Sequence, residues 1–285
     1  MSPIAGIVTR VLPGHIGGAK ARLWSMAAPD AERFDALAPI YDQVVPFFGL
    51  LGERLVQWAG PAPGQRVLDL GAGRGAVTSA LSRWMGPAAD IVAGDVSTEM
   101  RSQLRALALP GVTVKYLDAT GIDEPDGSFD AVFSAFVLHF LADRARALTE
   151  VARVLRPTGT FVMSVPGPGD NEGWWVAYGQ ILDEFRGRAQ FPKATPLPRE
   201  LWDEMAVAAG LRMVDRATVD VCIPLDGPEQ HWDWLLAHAH RGLFNALDGQ
   251  DQEKFRERVL QSLRTEHPTG GTQLLTNADF YRMAN

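Results

Sequence analysis

The sequence predicts an α/β fold built on a doubly wound, mostly parallel sheet. Three observations lead to this prediction. Short apolar strands alternate with helical segments between residues 66 and 165, a glycine-rich turn joins the first strand to its helix, and aspartates follow three strands. Strands that alternate with helices pair in parallel, because each crossover returns the chain to the same edge of the sheet. A ligand is then expected beyond the carboxyl ends of the strands.

The elements of this core follow in order. Residues 31–59 are predicted to form a helix, because Phe34, Leu37 and later apolar residues recur at helical spacing until Pro61. The predicted strands are 66–70, 90–94, 112–117, 131–134 and 160–165. The predicted helices between them end at Trp84, run from a Ser97 cap to residue 108, and cover residues 143–155.

The pattern changes after residue 165. Helices are predicted near residues 173–186, 201–209 and 228–265, and strands over 211–223 and 272–283. We interpret 166–209 and 226–268 as helical cap insertions packed over the mouth of the sheet. The predicted organisation is a helical lid (1–60), a Rossmann-like core (61–165) and a segment that completes the sheet and carries the caps (166–285).

Composition excludes several classes of protein. The chain has 285 residues, 46% hydrophobic and 21% charged, which is typical of a folded domain. The net charge of −7 disfavours a nucleic acid or an anionic membrane as partner. Cys222 is the single cysteine, so an intrachain disulfide and a cysteine metal cluster are excluded. No signal peptide or membrane span is evident, and we expect a cytoplasmic monomer or homodimer.

The glycine-rich turn carries the strongest functional signal. Val67–Ala76 reads VLDLGAGRGA, and its glycines allow a tight turn and a close approach of a ligand. The same glycines also satisfy the dinucleotide pattern G-x-G-x-x-G/A. Asp69 lies at the strand end just before this loop and would repel a pyrophosphate. A cationic nucleoside without phosphate, such as S-adenosylmethionine (SAM), is therefore favoured.

Two further carboxylates support this interpretation. Asp95 ends the second strand, where it can accept hydrogen bonds from both ribose hydroxyls of SAM or NAD. Asp118 ends the third strand, where it can accept from an adenine amino group. Either residue alone could simply begin a loop. The set of three predicts an acidic rim for a nucleoside with a cationic tail.

The chain resembles the class I SAM-dependent methyltransferases, in the group of ubiquinone/menaquinone-type and natural-product small-molecule enzymes. The matching segments are APIYD (38–42), VLDLGAGRG (67–75), GDVSTEM (94–100), LDAT (117–120), SFDAVFSAFVLHF (128–140) and EVARVLRPTGTFVMSV (150–165). The resemblance covers about residues 31–165 and implies the class I methyltransferase fold, with SAM as methyl donor and S-adenosylhomocysteine as product.

The resemblance also implies roles for individual residues. It places residues along the SAM molecule from the methionine part to the adenine: Asp69 near the ammonium end, Gly71, Ala72 and Gly73 beside the methionine part, Asp95 on the ribose, Val96 and Met100 flanking the adenine, Asp118 and Ala119 at the adenine edge, and Ser134 and Ala135 under the methionine moiety. Tyr41 would close over the cofactor from the N-terminal helix.

Methyl transfer needs mainly positioning, because the sulfonium already activates the leaving group. A hydroxyl acceptor gains from a general base, and His139 is the candidate base, with Tyr41 as a second catalytic candidate. Packing alone would also explain both residues. His231, His238 and His240 do not share one helix face, so no metal site is predicted.

Aromatic residues crowd the predicted caps. Trp174, Trp175, Tyr178 and Trp232 could wall a pocket for an apolar acceptor, or they could be the core that holds the caps in place. The leading hypothesis is transfer of a methyl group to an apolar small molecule, such as O-methylation of a polyketide or quinone in secondary metabolism.

Three other functions remain open. A protein of the same fold could bind SAM and catalyse a non-methylating reaction such as a cyclisation. An NAD-dependent oxidoreductase would leave Asp69, Asp118 and the RVLRPTG segment (153–159) unexplained. A nucleic-acid methyltransferase conflicts with the acidic charge of the chain.

Overall fold

The computed structural model describes residues 11–12, 34–35, 38–39, 41–42, 44–168, 173–191, 197–237 and 240–285. The strands in these ranges are β1 (Val11–Leu12), β2 (Arg66–Leu70), β3 (Asp90–Asp95), β4 (Val112–Tyr116), β5 (Phe129–Ala135), β6 (Leu155–Pro166), β7 (Arg212–Leu225) and β8 (Thr272–Ala284). The α-helices are α1 (Phe47–Ala59), α2 (Ala76–Met85), α3 (Thr98–Ala106), α4 (Arg144–Val154), α5 (Trp174–Ala189), α6 (Arg199–Ala208), α7 (Pro228–Ala237), α8 (Arg241–Ala246) and α9 (Gly249–Glu266).

The strands form one mixed sheet in the order β1-β7-β8-β6-β5-β2-β3-β4. The segment β4-β3-β2-β5-β6 is parallel throughout, whereas β8 is antiparallel to both β6 and β7. When the seven strands from β2 onward are numbered along the chain, the order is 3-2-1-4-5-7-6. This arrangement confirms the predicted doubly wound, mostly parallel sheet.

The chain leaves β2 towards β3 on one side and later returns to β5 on the other side. The carboxyl ends of β2 and β5 therefore border a topological switch point. Loops diverge there and leave a crevice, which is where open α/β sheets bind ligands. The glycine-rich turn follows β2 at this place.

Side chains alternate between the two faces of the sheet. Val67, Phe133 and Phe280 lie in the core on one face, together with α1, α2, α5, α7 and α9. Leu68, Val132 and neighbouring residues lie in the core on the other face, together with α4 and α6. Both faces are covered, so the central strands are almost fully buried.

The predicted helix over residues 31–59 is wrong in its extent. Helix α1 begins at Phe47, directly after Pro46, and residues 41–42 form a turn. Proline has no N–H group and disfavours helical backbone in the residue before it, so the apolar spacing upstream does not continue the helix. Residues 34–35 are helical, and the residues between them and α1 that are described are not.

The cap segments differ from the prediction in the position of one helix. Helix α6 packs through Trp202 and Ala206 against α4 on the opposite face of the sheet from α5. Residues 166–209 are therefore divided between two faces. The segment 228–265 was predicted to be helical, and its described residues form three helices, α7 to α9.

The described residues near the start of the chain form a short strand. Within residues 1–30 the described pair, Val11–Leu12, is a strand antiparallel to β7, inside the segment that the sequence predicted as a helical lid. The boundaries of the lid, core and cap segments stay a prediction. None of the helices in the described ranges has the length and apolar character needed to cross a membrane.

Candidate active site at the carboxyl ends of the strands

A cavity of about 640 Å³ opens at the carboxyl end of the parallel strands. Its described lining comes from five parts of the chain: described residues between 34 and 53, the end of β2, the glycine loop (residues 71–75) with α2, the ends of β3 and β4 with the residues after them, and the end of β5 with the segment after it. The predicted ligand site and the observed cavity thus lie at the same edge of the sheet.

The backbone of the glycine loop requires glycine at its first position. Gly71 has φ +74°, and a Cβ built there would lie 2.3 Å from Cγ2 of Val137. The amides of Gly71 and Ala72 both donate to the carbonyl of Gly94, at 2.8 and 2.9 Å. Gly71, Ala72 and Gly73 all line the cavity. The loop is therefore held between β3 and the segment after β5, with its backbone facing the ligand space.

Asp69 is a buried carboxylate at the end of β2 that also lines the cavity. The hydroxyl of Thr78 donates to its Oδ2 at 2.5 Å. Burial, together with the smaller effect of the charge of Asp95, raises the pKa of Asp69 to about 7, although the hydrogen bonds from Thr78 act in the opposite direction. A cationic ligand beside this carboxylate would favour its ionised form.

Asp95 lies one strand away, at the end of β3. Its Oδ1 accepts from the amide of Ser97 and its Oδ2 from the amide of Gly73, both at 2.8 Å. Burial raises the pKa of Asp95, although these two amides and Arg101 act in the opposite direction. Each carboxylate oxygen retains a second lone pair, which could accept a hydrogen bond from a ligand hydroxyl.

The residues that the resemblance assigns to the adenine lie on the β3–β4 side of the cavity. Val96, Met100, Asp118 and Ala119 all line it. Asp118 Oδ1 accepts from the amide and the hydroxyl of Thr120, each at 2.8 Å, so the carboxylate is held in place. This side combines apolar walls with one oriented acceptor, as binding of a purine would require.

Ser134 and Ala135 end β5, but the structure brings only Ala135 to the described lining of the cavity. Ser134 is fully buried, and its hydroxyl donates to the carbonyl of Leu70 at 2.9 Å. Alternation along the strand turns neighbouring side chains to opposite faces. The Ser134 side chain thus joins β5 to β2, and its place under the methionine moiety stays a prediction.

Tyr41 lines the cavity, as the sequence predicted, but from a turn rather than from a helix. Its ring stacks on Phe48 with centroids 4.8 Å apart. Burial raises the pKa of Tyr41 well above its usual range, so the phenol stays protonated. Arg74 of the glycine loop donates to the carbonyl of Tyr41 at 2.6 Å, which fastens this turn to the cofactor loop.

His139 lies in a short 3₁₀ turn, Leu138–Phe140, and is not among the described residues that line the cavity. Its ring packs against Phe140 with centroids 3.8 Å apart. Burial, with a smaller effect of Arg144, lowers the pKa of His139 to about 3. The imidazole is then neutral at pH 7 but a weak base, so its position and its pKa both disfavour the predicted catalytic role.

The four aromatic residues predicted to wall the substrate pocket lie elsewhere. Trp174, Trp175, Tyr178 and Trp232 are absent from the described lining of the cavity. Trp174 stacks on Tyr178 with centroids 4.7 Å apart, and Trp232 packs against Phe255 of α9. The ring of Trp174 also lies 4.5 Å from that of His231 in α7, and the indole of Trp175 donates to the carbonyl of Leu275 in β8. Of the two interpretations left open by the sequence, the structure favours the packing core.

The apolar part of the cavity is instead a phenylalanine wall, formed by Phe34, Phe48, Phe136 and Phe140. Phe48 meets Phe136 edge-on at 5.3 Å, and Phe34 meets Phe140 at 6.0 Å. The sequence alone did not predict that these residues form a wall of the cavity. Phe136 and Phe140 follow the β5 strand directly, which was an available signal, whereas Phe34 and Phe48 join them only in the folded chain.

Asp42 is a further residue of the cavity wall, and the sequence alone did not predict a function for it. It lines the cavity, and its Oδ1 and Oδ2 accept from the amides of Phe48 and Gly49 at 3.0 and 3.2 Å. Burial raises the pKa of Asp42 to about 6, while these amides and Arg74 lower it. Its position at the end of the APIYD segment was the signal in the sequence.

Comparison with known proteins agrees with this geometry. Residues 68–163 match the protein family described as methyltransferase domain. An uncharacterized methyltransferase of Mycobacterium tuberculosis is 39% identical over 142 residues, which are 48% of this chain and 56% of that protein. The nocamycin O-methyltransferase of Saccharothrix syringae is 34% identical over 159 residues, 53% of this chain and 57% of that enzyme. The matched region spans little more than half the length of these relatives.

Solved structures share the fold at low sequence identity. A Bacillus halodurans protein superposes with a TM-score of 0.56 and 15% identity, over 81% of this chain and 96% of that one. The [4+2]-cyclase SpnF superposes with a TM-score of 0.52 and 16% identity, over 94% of this chain and 88% of that one. At such identities the likeness concerns the fold alone.

Proposed function

The chain contains a class I SAM-dependent methyltransferase domain, and from this premise we propose that the protein transfers the methyl group of SAM to an apolar small molecule. One observation carries the proposal: a single cavity joins the buried carboxylate of Asp69 to a phenylalanine wall. The acidic side suits a cationic nucleoside, and the apolar side suits an uncharged acceptor.

The residues of the acidic side fit SAM. Asp69 would face the ammonium end, Asp95 would accept from the ribose hydroxyls, and Asp118 would accept from the adenine amino group, with Val96 and Met100 on either side of the purine. When bound, SAM supplies a methyl group on a positively charged sulfur, which activates the leaving thioether. The chain's own part is to orient that group and to exclude water.

The same acidity disfavours NAD. A pyrophosphate on the glycine loop would lie near both Asp69 and Asp95, and burial strengthens the repulsion because the local dielectric constant is low. Arg74, the loop's own cation, donates to the carbonyl of Tyr41. This balance of charge supports SAM over a dinucleotide.

Two observations support an uncharged, oxygen-centred acceptor. The phenylalanine wall offers aromatic surface to the same cavity that Val96, Met100 and Asp118 line. The nocamycin enzyme, which is 34% identical over its matched region, is named as an O-methyltransferase. We therefore specify the proposal as O-methylation of a polyketide, quinone or similar natural product, a reaction of secondary metabolism.

Calorimetric titration tests the cofactor part. The protein should bind SAM and S-adenosylhomocysteine and should not bind NAD. Tight NAD binding without SAM binding would refute the proposal.

Mass analysis of products tests the transfer itself. Incubation with SAM and a set of apolar phenols and quinols should give a product that carries one added methyl group. A reaction product without the added methyl, formed by a protein that does bind SAM, would instead support the non-methylating alternative.

A further inference from the structure

Two residues of the cavity wall have a backbone conformation that L-amino acids rarely adopt. Asp42 has φ +58° and Phe136 has φ +57°. The other described non-glycine residues with positive φ, Ala108 and Gln190, lie directly after helices, where this conformation is common. Phe136 follows the strand β5, and the described residues 38–39 and 41 before Asp42 form turns. Strain of this kind persists where the surrounding structure imposes it, and it often marks a functional site.

Both residues meet at Phe48. The amide of Phe48 donates to Asp42 Oδ1 at 3.0 Å, and its ring lies edge-on to the ring of Phe136 at 5.3 Å. All three side chains line the cavity. A carboxylate and two aromatic rings therefore form one corner, and the strained backbone at Asp42 and Phe136 belongs to that corner.

This corner lies apart from the residues proposed for the adenosine. Val96 and Asp118 follow β3 and β4, whereas Phe136 follows β5 on the other side of β2. The glycine loop, which leaves β2, runs between the two groups. The strand order therefore separates a nucleoside side from a second side, where an acceptor would meet the methyl group.

The charges around Asp42 select the kind of acceptor. Burial raises the pKa of Asp42 to about 6, although the amides at the start of α1 and the charge of Arg74 act in the opposite direction. Tyr41, another titratable group, directly precedes Asp42 in the chain. The carboxylates of Asp69 and Asp95 line the same cavity. An anionic acceptor would be repelled, whereas a neutral hydroxyl could donate to Asp42.

We propose that Asp42, Phe48 and Phe136 form the acceptor subsite, and that this subsite takes a planar, neutral phenol or enol whose hydroxyl proton passes to the carboxylate of Asp42. The inference rests on the proposed function. Asp42, and not His139, is then the general base, since Asp42 lines the cavity and His139 is not among the described residues that line it.

In the proposed step, the acceptor O–H bond breaks and its proton moves to the Asp42 carboxylate. The electron pair left on the acceptor oxygen forms the bond to the methyl carbon that SAM supplies, and the pair of the broken C–S bond stays on sulfur. Asp42, which is partly exposed, then releases the proton to water.

Binding of two probes to the protein saturated with S-adenosylhomocysteine tests the subsite. The first probe is 2-naphthol, a planar neutral phenol, and the second is 2-methoxynaphthalene, which has the same rings but no O–H donor. Wild-type protein should prefer 2-naphthol about tenfold at pH 7.5, the usual effect of a hydrogen bond to a charged group. The preference should decline below about pH 6, as Asp42 takes up a proton.

Asp42→Asn is the decisive variant. Asparagine has nearly the same shape, tolerates positive φ and keeps one acceptor for the α1 amides, so folding should be retained. The naphthol preference should disappear and its pH dependence with it. Asp143→Asn is the matched control, because Asp143 also accepts a helix amide, that of Arg146, but lies off the described lining of the cavity.

The outcomes separate the two proposals. Failure to bind S-adenosylhomocysteine overturns the proposed function. A protein that binds it but binds neither naphthalene, or that shows the same naphthol preference in Asp42→Asn, overturns the acceptor subsite alone. If the variant does not fold, a wild-type preference that is constant between pH 5 and 8 overturns the subsite equally.

Discussion

The amide of Gly73 donates a hydrogen bond of 2.8 Å to Oδ2 of Asp95. This bond joins the glycine loop after β2 to the end of β3, so the two segments proposed to hold the methionine part and the ribose share one contact. A ligand that displaced or reoriented the Asp95 carboxylate would also move the loop.

Asp95→Ala should therefore weaken binding of S-adenosylhomocysteine by at least tenfold, because it removes both the proposed ribose acceptor and the support of the loop. Calorimetry measures the effect. Asp90→Ala, at the exposed start of the same strand, is the control and should bind like wild type. Equal affinity in the two variants would exclude a role for Asp95 in the cofactor site.

Gly71→Ala should lower the free energy of unfolding by about 2–4 kcal/mol, since it adds backbone strain at φ +74° and a contact 2.3 Å from Val137. Gly73→Ala shares the positive φ but has open space around its Cβ, so we expect a loss of only about 1–2 kcal/mol. Urea denaturation compares the two. A similar loss in both variants would show that the Val137 side chain moves away from the added Cβ.

Tyr41→Phe should reduce affinity for S-adenosylhomocysteine or slow turnover, because the Tyr41 hydroxyl belongs to a residue of the cavity wall. Tyr178→Phe is the matched control. The buried Tyr178 hydroxyl has no hydrogen-bond partner among the described residues, and its removal should keep activity and leave stability equal or about 1 kcal/mol higher. Lost activity in Tyr178→Phe would support the alternative interpretation, in which the aromatic residues of the caps contact the substrate.

His139→Phe should keep turnover within about tenfold of wild type, whereas loss of a general base costs about 100-fold or more. The ring packs against Phe140 rather than lining the cavity, and phenylalanine fills a similar space. Steady-state kinetics with an identified acceptor measures this. A loss of turnover of about 100-fold with unchanged cofactor affinity would support the catalytic role of His139 that the sequence predicted.

Stability of the ligand-free protein should fall as pH rises from about 4 to about 7. Asp69 has a folded-state pKa of about 7, above the unfolded value near 4, so in this window the folded state holds the extra proton. Its stabilising effect is complete below the unfolded pKa and is lost towards the folded one, with a change on the order of 3–4 kcal/mol.

Asp69→Asn should flatten this dependence, because asparagine does not ionise and can still accept from Thr78. Urea denaturation at several pH values measures the slope. Asp90→Asn, at an exposed position, serves as control. A slope that persists unchanged in Asp69→Asn would place its origin in other groups.

The parallel core could be predicted from the sequence because its determinants are local. Alternating apolar strands, the glycines of the loop and the Ser97 cap each depend on neighbours within a few residues, and all lie where expected. The aspartates after β2, β3 and β4 were also accessible. Parallel strands end at one edge of the sheet, so residues that end such strands meet without further information.

The acceptor side depends on tertiary structure. Phe48, Phe136 and Asp42 come together from segments separated by almost ninety residues, and nothing in their local sequence pairs them. The tryptophans of the caps show the opposite case, since an aromatic cluster reads the same in sequence whether it packs inward or lines a pocket. Only the packing of α5 and α7 on the sheet decided that these rings are core. The sequence determined the fold and the cofactor edge through short-range rules, and the tertiary structure decided which side chains face the open space.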